Sequence, residues 1–203
     1  IRLSLVGSEM CIRDRCKVDF WLRNLRDLRQ SLERLNIPLL IRRIDIWDQA
    51  PQAVLDVCRQ HQVQSVHWNE EYGINEQRRD DATRALLEKS SIQAHSHLDQ
   101  LLFRPGTILT RSGDYFQVFS QFKKNCLEHL HRGLPALAHR VKRQAPLQIS
   151  SDPIPEHVDG FEKPAQTLRD HWPAGEAEAQ ARLARFLDET IDDYHQLRDS
   201  VSY

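Results

Sequence analysis

The 203-residue chain balances 28 Lys and Arg against 29 Asp and Glu, for a net charge of −1, and 40% of its residues are hydrophobic. This composition suits one medium α/β domain with extra segments and excludes a disordered chain. It leaves no overall charge excess to draw nucleic acid or a membrane surface, so any DNA contact must come from a local patch. Cys11, Cys16, Cys58 and Cys126 show neither a CxxC nor a clustered Cys/His spacing, so neither a zinc site nor a disulfide framework is expected. No run approaches the roughly 20 apolar residues of a membrane span.

Residues 1–15, IRLSLVGSEMCIRDR, carry neither an initiator Met nor a secretory pattern, and SLVGSEMCIRDR resembles a translated sequencing adapter. They are expected to be non-native, although Leu3 to Val6 has residue types that permit a strand. From Cys16 to Asn36, Trp21, Leu25, Leu28, Leu32 and Leu35 share one face of an amphipathic helix that should pack on a sheet, with Trp21 in the core. IPLLIRR then reads as a buried strand entered at Pro38, and Asp45 to Pro51 as a connector. Val54, Leu55 and Cys58 mark a second helix over Gln52 to His61, followed by a strand in QVQSVHW.

The chain changes period across Ser65 to Leu87. Val63, Val66 and Trp68 end a strand, Gly73 lies in a loop, and Ala82, Ala85 and Leu86 recur at helical spacing. Ligands of open α/β sheets bind at such corners, at the carboxyl ends of strands, which makes Asn69 to Arg79 the first place to look for function. Asn75 stands where an N-cap belongs, and Glu76 falls in the first helical turn, where the helix dipole favours a carboxylate. The same carboxylate is suited to accept two hydrogen bonds from one edge of a heterocycle such as a pterin or guanine. The two readings are compatible.

A third helix over Asn75 to Lys89 and a strand over Ile92 to His97 complete a repeated βα order, which implies a parallel, Rossmann-like sheet with flanking helices whose first strand is not apparent. Turn signals at Pro105-Gly106 and Ser112-Gly113 precede Tyr115, Phe116, Phe119 and Phe122, which read as core; Lys123 and Lys124 beside them do not make the long basic groove of a single-strand binder. Residues 133–175 hold most of the prolines and read as a wrapping linker. A last helix begins near Glu176, with Leu183, Phe186, Leu187, Ile191, Tyr194 and Leu197 on its apolar face.

Three ordered stretches, LNIPLLIRR, NEEYGINEQRRDDATRALL and PGTILTRSGDYFQVFSQFKKNCLEHL, resemble the N-terminal part of the DNA photolyase/cryptochrome family. The resemblance divides the chain into a photolyase-like antenna domain at 16–132, an interdomain linker at 133–175 and, at 176–203, the start of a helical FAD domain otherwise absent. One departure is Gly73, where many members carry Glu. The implied parent is a folate-type deoxyribodipyrimidine photolyase, a light-driven lyase that splits cyclobutane pyrimidine dimers; this chain alone should be inactive. Asn75 and Glu76 match the pair that contacts a methenyltetrahydrofolate antenna, and Tyr194 resembles a tyrosine that touches FAD. The implied setting is a cytoplasmic monomer, with UV-damaged DNA as partner through the missing C-terminal domain. The alternatives are a cryptochrome-type photoreceptor fragment and a generic nucleotide-binding α/β module; the absence of a glycine-rich phosphate loop after any strand counts against the latter.

Overall fold

The structure is a computed structural model that describes residues 11–133 and 141–199. The possible strand at Leu3 to Val6 lies outside the described residues. The chain divides into two compact units, one over Arg42–Arg140 and the other drawn from the segments before and after it.

The first unit is built on a helix-strand-helix-strand order: α2 (Ala50–Gln60), β1 (Ser65–Asn69), α3 (Ile74–Lys89) and β2 (Gln93–His97), after α1 (Cys11–Arg34) of the other unit. β1 and β2 pair in parallel with Ser65 opposite Gln93, as the repeated βα pattern requires. Both helices end in the same way. Gln62 and Ser91 adopt left-handed backbone, with φ of 53° and 58°. The next N–H groups, of Val63 and Ile92, donate back to the carbonyls of Cys58 and Leu87, both at 2.9 Å. This closes the helix with an apolar residue pointing inward. Val63 and Ile92 thereby join the core of Leu55, Cys58, Leu87, Val66 and Trp68.

Several elements differ from expectation. Asp45 to Pro51 is not a plain connector: Trp47–Gln49 forms a 3-10 turn that leads into α2, with Pro51 at the helix start where a missing N–H costs nothing. In α3 the buried line runs through Thr83 and Leu87, while Ala82 and Ala85 are exposed. Thr83 tolerates the core because its hydroxyl donates to the Arg79 carbonyl at 2.7 Å. The aromatic segment before and within α4 (Phe119–His131) is not core. Tyr115 is 70% and Phe119 73% exposed, and the rings meet chiefly one another, Phe116–Phe122 at 6.2 Å and Phe119–Phe122 at 6.5 Å. No residue of α4 is buried, so nothing described covers that face.

The second unit is organised around α1, whose buried line is Val18, Leu22 and Leu25, one position round from the expected stripe, with Trp21 packed beside it. Within this unit a returning segment covers it, through Ile154, Val158 and Phe161. The IPLLIRR stretch is extended but makes no ladder. Pro38 offers no donor, and the N–H groups of Leu39 and Ile41 go to side chains instead, Ser151 Oγ at 3.0 Å and Asp152 Oδ2 at 2.7 Å. α1 also anchors the strap by donating from Arg26 to the Pro155 carbonyl at 2.9 Å, and it supplies Asn24 Oδ1 and Asp27 Oδ2 to the N–H groups of Gly175 and Glu176. Those acceptors cap α6 (Glu176–Glu189), whose own N-cap, Gly175 at φ 111°, has no side chain to do so. Asp19, buried on α1, is held by Arg23 at 2.8 Å and by Arg169 of α5 (Gln166–His171) at 3.2 Å.

Leu87 is fully buried between α2 and β2. Leu87→Ala is expected to lower unfolding free energy by about 2–5 kcal/mol through lost transfer and an unfilled cavity. Leu183→Ala, at a position 57% exposed, should change it by about 0.5 kcal/mol or less. Urea titration of each variant checks the difference.

Candidate functional site

The carboxyl ends of β1 and β2 open onto a polar network that the strand geometry assembles. Glu70, one residue past β1, donates its N–H to the His97 carbonyl at 2.9 Å, extending the ladder. Its carboxylate accepts from Arg104 Nη1 at 2.7 Å and from Ser96 Oγ at 3.0 Å, and Ser96 accepts in turn from Arg84 Nη2 at 3.0 Å. Arg84 lies over the Trp68 ring at 5.3 Å. The Arg104 guanidinium first, then the Ser96 hydroxyl, holds the Glu70 carboxyl below the usual glutamate range. Burial, with the Glu70 charge beside it, pushes the Tyr72 phenol up.

Around the corner, Trp47, Asp48, Pro51, Asn75, Arg78, Arg79 and Ala82 line a cleft of about 220 Å³ between the start of α2 and the first turns of α3. Trp47 closes one side: its indole N–H donates to the Asn75 carbonyl at 3.2 Å, and the Arg79 guanidinium lies 5.2 Å from its ring centroid. Arg79 is fixed by Glu71 at 3.0 Å and Asp80 at 2.6 Å. The cleft therefore presents the Trp47 ring beside an amide and two cationic groups, Asn75, Arg78 and Arg79, that fall within the Asn69 to Arg79 stretch singled out by the sequence.

The structure separates the predicted pair. The N-cap of α3 is Gly73, in extended backbone, so Asn75 is the second helical residue and not the cap. Asn75 lines the cleft. Glu76, the third, folds back over Gly73: a Cβ at that glycine would lie 2.9 Å from the Glu76 carboxyl carbon. That is the position a capping-box glutamate occupies, with glycine in place of the usual Ser or Thr. Tyr194 lies in the other unit, at the start of α7 (Tyr194–Leu197), 51% exposed with its ring edge-on to Phe186 at 5.8 Å. Sequence reasoning missed Trp47, Arg78 and Arg79 as wall residues. A Trp just ahead of an Asp and a helix-starting Pro was the available signal.

A family model described as DNA photolyase matches residues 8–142, more than half of the chain. The chain belongs to the DNA photolyase family. Among curated relatives, the deoxyribodipyrimidine photo-lyase of Vibrio cholerae is 27% identical over 90% of this photolyase-family chain and 39% of its own length. That of Escherichia coli is 29% identical over 86% of this chain and 36% of its own. The chain thus spans well under half the length of these relatives. Among solved structures, a bacterial class III photolyase from Agrobacterium tumefaciens superposes with a TM-score of 0.68 at 21% identity, covering 85% of this chain and 36% of its own. A Synechocystis cryptochrome gives 0.66 at 16% identity, covering 90% and 38%. At these identities the structural likeness establishes the fold, an α/β arrangement with a small parallel sheet.

The depressed Glu70 carboxyl fixes a pH dependence. Its stabilisation is complete above the ordinary glutamate pKa of about 4.3 and is lost as pH falls through its lower folded value. Glu70→Gln should therefore lower the thermal midpoint near neutrality yet flatten its fall under acid. Melting curves from pH 7 to pH 2 on both proteins test this; parallel curves would exclude a role for Glu70.

Proposed function

We propose that this chain is the antenna-domain portion of a light-driven DNA repair enzyme of the deoxyribodipyrimidine photolyase type, and that its cleft beside Asn75 receives the ring of a folate antenna. The observation that carries the reading is the coincidence of the N-E-x-x-R start of α3 with a cleft bounded by an indole, an amide and arginines. A cleft of about 220 Å³ suits a single bicyclic ring better than a whole cofactor, since complete ligand sites run to about 300–1,000 Å³. The residues fit a methenyltetrahydrofolate pterin held by its edge. When bound, the folate would supply near-ultraviolet absorption; Trp47 offers a flat wall, Asn75 an amide at the ring edge and Arg78 a cation for an acidic tail.

Glu76 takes part in this proposal by changing partners. In the folded chain its carboxylate lies over Gly73. To meet a pterin edge it swings off the N-cap, exchanging a local contact for a charge-assisted pair. FAD does not fit the described residues. Tyr194, half-exposed beside Phe186, is one aromatic ring rather than a flavin pocket. Repair of UV-damaged DNA, splitting of cyclobutane dimers and use of FAD are proposed for a protein of the relatives' full length, and this chain by itself is proposed to be inactive.

In such a full-length protein, Glu76→Gln should weaken folate retention roughly ten- to a hundredfold, the loss of a charge-assisted contact of about 1.5–3 kcal/mol, and Asn75→Ala roughly two- to tenfold, the loss of a neutral amide contact of about 0.5–1.5 kcal/mol. The thermal midpoint of the folate-free form should move little. Near-ultraviolet absorbance after gel filtration, read beside that midpoint, decides it. Unchanged retention with a large drop in midpoint would leave Glu76 as a helix cap alone.

A further inference from the structure

The second face of the two-stranded sheet carries a cluster that the photolyase reading does not use. Strand alternation turns Val66, Trp68 and Ala94 toward the core and leaves His67, His95 and His97 exposed together on the other side. His67 pairs in register with His95. Its ring stacks on both neighbours, with centroids 4.6 Å from His95 at 22° and 5.2 Å from His97 at 10°. His67 Nδ1 lies 2.9 Å from His97 Nε2. A hydrogen bond between two ring nitrogens requires a lone pair on one of them, so this pair holds at least one neutral imidazole. Full protonation of all three would set like charges in contact on adjacent strands.

We propose that His67, His95 and His97 form a binding site for one transition-metal ion of the zinc, nickel or copper class. Two nitrogens at 2.0–2.1 Å from a zinc ion, with bond angles of 90–109°, lie roughly 2.9–3.4 Å apart, and the His67–His97 separation falls in that range. His95 Nε2 sits 3.4 Å from Gln93 Oε1, which can only accept. With the proton on Nε2 in that contact, the Nδ1 lone pair is left for the metal, the usual way an outer partner orients a ligating histidine. As they stand the rings stack, and among the described residues no three His, Cys, Asp or Glu groups converge on one point. Closing the site takes side-chain rotation, which exposed residues undergo in picoseconds to nanoseconds. Three imidazoles select zinc, nickel or copper over calcium or magnesium, which take oxygen ligands, and leave a fourth position to water. No local sequence pattern signals a metal site here, because His67 is 28 and 30 residues from the other two, and only the strand pairing joins them.

The test is isothermal titration of the 203-residue chain with zinc chloride and nickel chloride at pH 7.5, and with calcium chloride as control. One zinc or nickel ion per chain is expected, with a rise in thermal midpoint by mass action. Affinity should fall tenfold or more in each of His67→Gln, His95→Gln and His97→Gln, and stay unchanged in His157→Gln. It should also fall as the buffer is made more acidic, because protons compete with the metal for the ring lone pairs. The three rings are exposed, so far-UV circular dichroism should show folded variants. Equal calcium binding, no binding by the folded wild type, or binding that survives replacement of all three histidines would overturn the proposal. The last outcome would assign the ion to others of the chain's ten histidines.

Discussion

The Arg42–Arg140 unit depends on two helix ends. At the close of α2 and again at the close of α3, one left-handed residue reverses the chain and returns the next apolar residue, Val63 or Ile92, against the last buried position of the helix, Cys58 or Leu87. Each turn satisfies a terminal carbonyl and begins a strand in the same step. Both turns send the chain back along the same side of their helices, and β1 and β2 pair in parallel, Ser65 with Gln93, one residue out of step with the turns themselves. The core between them is small, and burial pushes the Cys58 thiol up, marking it as a packing residue rather than a reactive one.

The paired strands have two consequences for chemistry. At their carboxyl ends they bring Glu70, Ser96 and the flanking Arg84 and Arg104 into one network, a charged floor beside the start of α3. On the open face they align three histidines that no local pattern joins. The start of α3 shows how a helix terminus serves structure and recognition by turns. Gly73 leaves room for the Glu76 carboxylate to lie over the N-cap, while Asn75, one residue earlier, lines the cleft. A side chain at Gly73 would meet only the flexible end of Glu76, so a larger residue there displaces the carboxylate rather than breaking the helix.

The α1 unit solves a different problem. A proline-rich segment cannot build a ladder, so its carbonyls are met by arginines of α1 and its apolar residues Ile154, Val158 and Phe161 cover the helix's buried line. Even the start of α6 borrows its cap from Asn24 and Asp27. Side chains here do what backbone pairing does in the sheet, which is why a linker-like composition still yields an ordered path.

The sequence by itself determined the alternation of helix and strand from α2 to β2, the family, and the corner at Asn69 to Arg79, because these follow from local periodicity and from motifs contiguous in the chain. It placed Asn75 and Glu76 together but could not distinguish their roles, since a two-residue shift of the helix start, from Asn75 to Gly73 as cap, turns one side chain into the cleft and the other back over the N-terminus. It misjudged IPLLIRR and the Tyr115 to Phe122 aromatics because apolar composition reports a tendency to be buried and does not supply the partner that does the burying. Tertiary structure alone decided Trp47 as a cleft wall, the Glu70–Arg104 pair and the grouping of His67 with His95 and His97. Each joins residues about 28 to 34 positions apart, and what joins them is strand register and helix packing, interactions that no local window of sequence contains.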